Sequence, residues 1–317
     1  MENFLLVARQ VVILFALIGV GAVCRRTRLV DEFSVRGMVN VLVTIVTPSL
    51  IVECFQRPFE SAMFAQFAIA FAVAAAMHVF LILLSRLTAR GDENTLPVLR
   101  VATVFSNAGF MGVPLEYAIL GPKGVFFGIV YVTMFNLFMW TWGLAKMKNE
   151  ECKTENGGGP FSVSALKPLV NPGTVGLLIG FPLFFFSVTL PDVVRVPVKL
   201  LSDLNTPLAM LVIGYYLAGA DLRSVVRLPQ AHLATIIRLV VCPLVLVACF
   251  FLLRERLDRD MMLALVIAAS APTAAMAAMF ASKFHRDVDL AVGLVSGTTI
   301  ISIVTMPPVI ALAMSIL

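Results

Sequence analysis

The amino-acid sequence predicts an all-α polytopic membrane protein, and three observations support this fold class. Apolar residues make up 60% of the 317 residues, whereas soluble domains contain roughly 45–50%. Charged residues make up 14%, against roughly 25% in a soluble domain. Unbroken apolar runs over residues 67–84 and 239–253 suit bilayer-spanning helices, because these need about 20 residues. The strands of a membrane β-barrel would instead alternate apolar and polar residues.

The composition also excludes several other classes of protein. The mean hydropathy of +0.96 excludes a cytosolic enzyme, a disordered chain and a secreted disulfide scaffold, because so much apolar surface could not face water. The five cysteines are scattered and have neither metal-ligand spacing nor the pattern of a disulfide framework. We therefore expect no metal site and no cofactor. The formal charge of +5 belongs to the loops and indicates topology, not a nucleic-acid partner.

Ten apolar segments, separated by charged residues or by proline and glycine, predict ten transmembrane helices. The first segment exceeds the apolar core of a signal peptide and ends in Val-Cys-Arg-Arg, so we expect a retained helix. The ten segments cover approximately residues 4–24, 38–55, 62–85, 98–118, 124–145, 168–190, 197–218, 230–253, 261–282 and 288–314.

Lysine and arginine are unevenly distributed among the connections, and this distribution predicts the orientation. Fifteen of them lie in the odd-numbered connections and seven in the even-numbered ones. We therefore expect the odd connections in the cytoplasm and both termini outside, in an integral protein of the cell membrane. The longest polar stretch, residues 146–167, predicts a flexible cytoplasmic linker. It separates a first five-helix half, residues 1–145, from a second half, residues 168–317.

Weak similarities between the two halves predict a 5+5 inverted repeat. A duplicated unit with an odd number of spans must insert in the opposite orientation, as in many secondary transporters. Thr47-Pro48 in span 2 matches Thr206-Pro207 in span 7 at an offset of 159 residues. Ser106-Asn107 in span 4 matches Pro272-Thr273 in span 9 at an offset of 166. Both offsets are close to half the length of the chain.

Spans 4 and 9 each contain residues that should break a helix. Gly109, Gly112 and Pro114 should interrupt the hydrogen-bond ladder of span 4 near the middle of the membrane. Pro272 does the same within a small-residue stretch of span 9. The freed backbone groups must find polar partners in the protein or in a wet cavity. Two broken helices at matching positions are typical of a transport site, and ordinary proline kinks are the alternative.

The predicted breaks favour an anionic ligand. Each break exposes the N-terminus of a half-helix, which carries partial positive charge and unpaired N–H donors. Two such ends meeting at mid-membrane would suit an anion such as a carboxylate. The predicted substrate-binding residues at the breaks are Ser106, Asn107, Gly109, Ser270, Pro272 and Thr273.

The same segments resemble a known family. Ser106-Asn-Ala-Gly-Phe-Met-Gly-Val-Pro-Leu115 resembles the fourth-helix crossover of the auxin efflux carrier family, which includes plant PIN carriers and bacterial permeases for malonate and related acids. Pro272-Thr-Ala-Ala-Met-Ala-Ala-Met-Phe-Ala281 is similar to the ninth-helix crossover of that family. The resemblance runs through most of the chain and includes Arg25-Arg26, Pro48 and Asn171-Pro172.

This resemblance implies a fold and a mechanism. The implied fold is a ten-helix inverted repeat in which the broken helices 4 and 9 cross. The implied mechanism is an elevator-type movement against a scaffold, in a homodimer, with Asn107 and the region of Pro272 contacting the substrate. Plant carriers have proline where this chain has Ser106, so we do not expect auxin as the substrate.

Five further polar residues of the predicted spans have alternative roles. Arg238 is either a countercharge for an anionic substrate or a structural residue that snorkels or binds backbone carbonyls. Asn136 lines the site or caps a neighbouring broken helix. Glu116 and Asp203 either carry a coupling proton or lie toward an aqueous end. His78 is expected to be a packed, hydrogen-bonded histidine and not a proton relay.

These features favour a secondary-active or facilitative carrier of small organic anions, with proton or sodium coupling left open. A sodium-coupled symporter of the related bile-acid-transporter architecture is one alternative, and it would need extra oxygen ligands near the crossing. An intramembrane enzyme is a second alternative. It would need a catalytic constellation, yet the sequence has no His-Glu-x-x-His or Gly-x-Ser-x-Gly motif. The absence of a Walker motif excludes an ATP-driven pump.

Overall fold

The computed structural model describes residues 2–148, 172–219 and 228–317, and within these ranges the chain is helical with no β-strand. Most of the predicted linker, the beginning of span 6, and Arg223 and Arg227 lie outside the described residues. Seven helices of the described ranges are long and apolar enough to cross a bilayer. The protein is therefore a polytopic membrane protein.

Eleven helices are numbered here in chain order. In the first half these are α1 (Glu2–Arg26), α2 (Glu32–Cys54), α3 (Ser61–Thr88), α4 (Thr95–Val104) and α5 (Ala108–Met147). In the second half they are α6 (Pro172–Phe185), α7 (Asp192–Leu217), α8 (Pro229–Arg256), α9 (Arg259–Ser270), α10 (Met276–Lys283) and α11 (Val288–Ile316). Predicted span 4 corresponds to α4 and the beginning of α5, and predicted span 9 to α9 and α10.

The second helix begins earlier than the hydropathy of the sequence predicts. It starts at Glu32 and not near residue 38, because Asp31 forms an N-cap in which its carboxylate accepts a hydrogen bond of 2.7 Å from the backbone N–H of Ser34. The hydroxyl and backbone N–H of Ser34 hold the pKa of the Asp31 carboxyl below its usual range. Hydropathy misses this turn because capping depends on polar residues.

Helix α5 folds back on itself at Gly121. This residue has φ 68° and ψ −159°, a region of backbone conformation that only glycine adopts without strain. The Glu116 carboxyl lies against Gly128, although residues 116 and 128 would be about 18 Å apart along a straight helix. The turn therefore divides α5 into a first arm, residues 108–120, and a second arm, residues 122–147.

The helices pack in two groups. In the first group α1 packs along α7, and α2 packs along α6 and α7. In the second group α5 packs along α3 and α9, α4 packs on α3 and α8, and α11 packs on α9 and α10. Backbones approach closely in the first group, since a Cβ at Gly21 would overlap the Leu211 carbonyl and one at Gly214 would overlap the Ile18 carbonyl. Small residues permit such contacts between membrane helices.

Candidate functional site

The chain leaves its helical path in both predicted breaks, and the two breaks are hydrogen-bonded to each other. Ser106 and Thr273 form an antiparallel β-bridge. The backbone N–H of Asn107 donates to the Pro272 carbonyl at 2.6 Å, and that of Ala274 donates to the Phe105 carbonyl at 2.9 Å. We call the paired segments, residues 105–107 and 271–275, the junction. It satisfies backbone groups that would otherwise lie unpaired inside the membrane.

Threonine side chains complete the hydrogen bonding of the junction. The Thr273 hydroxyl donates to the Ala102 carbonyl at 3.1 Å, in the last turn of α4. The Thr298 hydroxyl, on α11, accepts a hydrogen bond of 3.0 Å from the backbone N–H of Thr273. Ser270 binds within its own helix, to the Val266 carbonyl at 2.7 Å. The hydrogen bonds of Thr273 and Thr298 thus connect the junction to α4 and α11.

The first arm of α5 begins immediately after the junction. The N–H groups of its first turn have no partner inside the helix and carry partial positive charge. Asn107 precedes this turn and keeps 7% of its surface exposed. Gly109 is half-buried, and a side chain at this position would meet no atom within 4 Å. There is therefore open space at Gly109, within the first turn of the half-helix.

Arg238 binds the carbonyl ends of both half-helices that enter the junction. Its side chain is fully buried. Nη1 donates to the Val104 carbonyl at 2.9 Å, at the end of α4. Nη2 donates to the Ala269 carbonyl at 2.6 Å and contacts Cys242 Sγ at 2.7 Å. Since the C-terminal end of a helix carries partial negative charge, the guanidinium stabilises both ends at once. This is the carbonyl-binding role that was one of the two alternatives for Arg238.

A group of buried polar side chains surrounds Arg238. The Tyr131 phenol lies close to Arg238 and Ser106. His78 Nδ1 donates a hydrogen bond of 2.8 Å to the Ala74 carbonyl. The imidazole ring is stacked on the Phe138 ring, with the centroids 5.2 Å apart. In this group of side chains, four polar atoms have no hydrogen-bond partner among the described residues: His78 Nε2, Ser106 Oγ, Tyr131 Oη and Arg238 Nε. His78 is thus a packed histidine, as predicted.

Glu116 is enclosed by the protein, whereas one of its two predicted alternatives placed it toward an aqueous end. The residue is completely buried, and neither carboxyl oxygen has a hydrogen-bond partner among the described residues. It lies on the first arm of α5, where the turn at Gly121 brings the second arm over it. Sequence position alone suggests an aqueous end, because Glu116 follows the helix-breaking Pro114.

The other predicted site residues are placed differently. Asp203 is exposed and accepts a hydrogen bond of 2.8 Å from Lys199 Nζ, one turn earlier on α7. Asn136 is half-buried on the second arm of α5. Sequence reasoning missed the roles of Tyr131 and Thr298. A signal for Thr298 was available, because a hydroxyl in an apolar helix opposite a break can serve as a partner for a freed backbone group.

Comparisons with known proteins agree with this architecture. The family model described as "Membrane transport protein" matches residues 6–310. A protein of Methanothermobacter thermautotrophicus called an uncharacterized transporter is 29% identical over 211 residues, which is 66% of this chain and 65% of the relative. The match thus spans slightly less than two thirds of that relative's length. With a match over nearly its whole length, the chain belongs to the membrane transport protein family, the family of the auxin efflux carriers and related permeases.

Proposed function

We propose that this protein carries small organic anions, in particular carboxylates, across the cell membrane, and that the substrate binds at the junction. The observation that supports this proposal is the pairing of the two helix breaks at Ser106 and Thr273. It brings the N-terminal ends of the first arm of α5 and of α10 to one place. Each end favours an anion by about 0.3–1 kcal/mol when exposed and by about 2 kcal/mol when partly buried.

The proposal assigns different roles to the two sides of the junction. On the carbonyl side, Arg238 already binds Val104 and Ala269. On the N-terminal side, the Asn107 side chain and the first-turn N–H groups are the donors for a substrate carboxylate. The open space at Gly109 provides room for the ligand, and Asn136, Ser270, Pro272 and Thr273 complete the proposed site. Arg238 then acts by positioning the half-helices, while the anion is bound by dipoles and amide donors.

The two packing groups suggest the moving parts. We propose a ten-helix 5+5 inverted repeat with both termini outside, working as a homodimer. In each protomer, the scaffold consists of α1, α2, α6 and α7. The moving group consists of α3–α5 and α8–α11, and it carries the junction across the membrane in an elevator-type movement. The support is that α9 packs on both α5 and α11, while α1 packs mainly on α7. A rigid group that includes both halves of the junction can move without breaking its hydrogen bonds.

Ligand binding to the purified protein tests the substrate class. We expect monocarboxylates or dicarboxylates, but not their neutral amides, to raise the apparent melting temperature, because a ligand that binds only the folded state stabilises it. Asn107→Ala should weaken that binding at least tenfold, since a hydrogen bond to a charged group contributes about 1.5–3 kcal/mol. Asn40→Ala, which changes an exposed asparagine of α2, is the matched control and should bind normally. Normal binding by Asn107→Ala would show that the site lies elsewhere.

Uptake into liposomes separates the coupling alternatives. An inward proton gradient or an inward sodium gradient is imposed in turn, and the rate of carboxylate uptake is measured. Stimulation by sodium alone would favour the bile-acid-transporter type of symport, and stimulation by neither gradient would indicate facilitated diffusion.

A further inference from the structure

The carboxyl group of Glu116 lies in a chamber of the protein that provides no partner for a charge. The side chain has no exposed surface, and neither oxygen accepts or donates a hydrogen bond within residues 2–148, 172–219 and 228–317. An ionised carboxyl is strongly unfavourable in such surroundings unless a cation or several donors accompany it. The neutral acid is therefore the form that this site accommodates.

Two glycines make room for this carboxyl. A Cβ at Gly128 would overlap the Glu116 carboxyl, and one at Gly112 would come within 3.7 Å of Oε1. Gly112 belongs to the first arm of α5, close to the junction, and Gly128 belongs to the second arm. The turn at Gly121 thus places Gly128 over the Glu116 carboxyl. Because glycine has no side chain, the carboxyl occupies the space that a side chain at residue 128 would fill.

The described surroundings supply no compensating charge. Two cations contact α5 directly: the Arg57 guanidinium lies over the Phe126 ring, and Arg238 lies beside Tyr131. The other titratable and charged side chains of α5 and of the helices packed on it are Arg9, Cys24, Arg25 and Arg26 on α1; Glu32, Arg36, Glu53 and Cys54 on α2; His78 and Arg86 on α3; Arg100 on α4; Tyr117, Lys123, Tyr131 and Lys146 on α5; Asp192, Arg195, Lys199, Asp203, Tyr215 and Tyr216 on α7; Arg259 and Asp260 on α9; and Lys283 on α10. None of these groups forms a hydrogen bond with either carboxyl oxygen of Glu116 among the described residues.

We propose that Glu116 is a proton-binding site that couples one proton to each transported anion. This inference rests on the proposed function. Asn107 and Gly112 are about 8 Å apart along the helix axis, so an anion at the junction and an ionised Glu116 would repel each other. Anion binding therefore favours the protonated acid, and by linkage protonation favours anion binding. The carboxylate takes its proton from water where the site opens on one side and returns it to water on the other, so both ligands move in the same direction.

The expected size of the coupling follows from Coulomb's law. Two unit charges about 9 Å apart at an effective dielectric constant of about 20 change a dissociation constant roughly twentyfold. Anion affinity of the wild-type protein should therefore fall by this factor as the pH rises through the titration of Glu116. In Glu116→Gln, whose side chain is always neutral, the affinity should not depend on this titration.

Proton uptake on anion binding tests the inference. The purified full-length protein, in weak buffer with pH indicator dyes, is titrated with acetate, malonate and succinate at a series of pH values that spans the titration of Glu116. At the alkaline pH values at which Glu116 of the ligand-free protein is ionised, we expect the wild type to take up protons as it binds, Glu116→Gln to bind without proton uptake, and Asp203→Asn to behave as the wild type. Proton uptake that persists in Glu116→Gln, that is lost in Asp203→Asn, or that is absent at every pH from a wild type that binds the anion would overturn the inference. A wild type that binds none of the three anions would instead count against the proposed function.

A second measurement needs no ligand. The infrared difference spectrum between wild type and Glu116→Gln at neutral pH should contain the carbonyl stretch of a protonated carboxylic acid. A carboxylate band in its place would overturn the inference, whether or not an anion has been found to bind. Glu116→Gln keeps the size of the side chain and removes only its ability to ionise, so we expect the variant to fold.

Discussion

Arg238 is a single side chain that serves two helix ends. Sequence reasoning identified it as an arginine inside a span but could not choose between a substrate countercharge and a structural role. The choice depends on partners 134 and 31 residues away in the sequence, the carbonyls of Val104 and Ala269. Both carbonyls lie in the last turn of a helix, where no later backbone N–H of the helix donates a hydrogen bond to them. A positive charge between two such ends stabilises the broken geometry that the junction requires.

Replacing Arg238 by glutamine should therefore damage the junction itself. Glutamine is too short to reach both carbonyls, and hydrogen bonds that involve a charged group contribute about 1.5–3 kcal/mol each. We expect a lower apparent melting temperature together with a loss of uptake of anionic substrates. Arg9→Gln, which changes an exposed arginine of α1, is the matched control and should alter neither. A loss of uptake with unchanged thermal stability would instead assign Arg238 to the substrate.

At the scale of the element, the hairpin within α5 depends on one glycine. Gly121→Ala places a Cβ on a backbone with φ 68°, which costs about 1–3 kcal/mol, although no atom lies within 4 Å of that Cβ. Gly37→Ala, in the helical part of α2, also meets no atom within 4 Å. It should be neutral or stabilising, because alanine favours a helix by about 0.5–1 kcal/mol over glycine. Thermal unfolding in detergent should show opposite signs, and equal effects would argue against the turn at Gly121.

The helices were largely predictable from the sequence, because the length of an apolar run is a local property. The breaks in spans 4 and 9 were also predictable, since proline and glycine act on their own turn. The environment of Glu116 was not, because it depends on how the chain folds back and brings Gly128 over an acid twelve residues earlier. The pairing of Ser106 with Thr273 has the same origin, as it joins two turns that are 167 residues apart in the chain.

At the scale of the whole molecule, the two packing groups meet at several contact surfaces, and in one of them Phe184 of α6 packs on Phe126 of α5. Another contact surface lies between α1 and α11, where an apolar groove of about 390 Å³ is lined by residues of both helices, including Val12 and Val304. Within the first group, α2 and α7 are joined by an ion pair of 3.3 Å between Glu53 and Arg195. An elevator-type movement must break the contact between α1 and α11, because these helices belong to different groups. It should leave the ion pair between α2 and α7 intact, because both helices belong to the first group.

Cross-linking can distinguish these two contacts in a variant that lacks the native cysteines Cys24, Cys152 and Cys249. Cysteines replace Val12 and Val304, which are 62% and 74% exposed, and a homobifunctional maleimide joins them. We expect this link to arrest uptake of the transported carboxylate in liposomes, because it ties the scaffold to the moving group. A link between Glu53→Cys and Arg195→Cys joins two scaffold helices and should leave uptake largely intact. Full uptake with the first pair linked would mean that the groups do not slide past each other, since a membrane-scale displacement of either group would exceed the reach of the reagent.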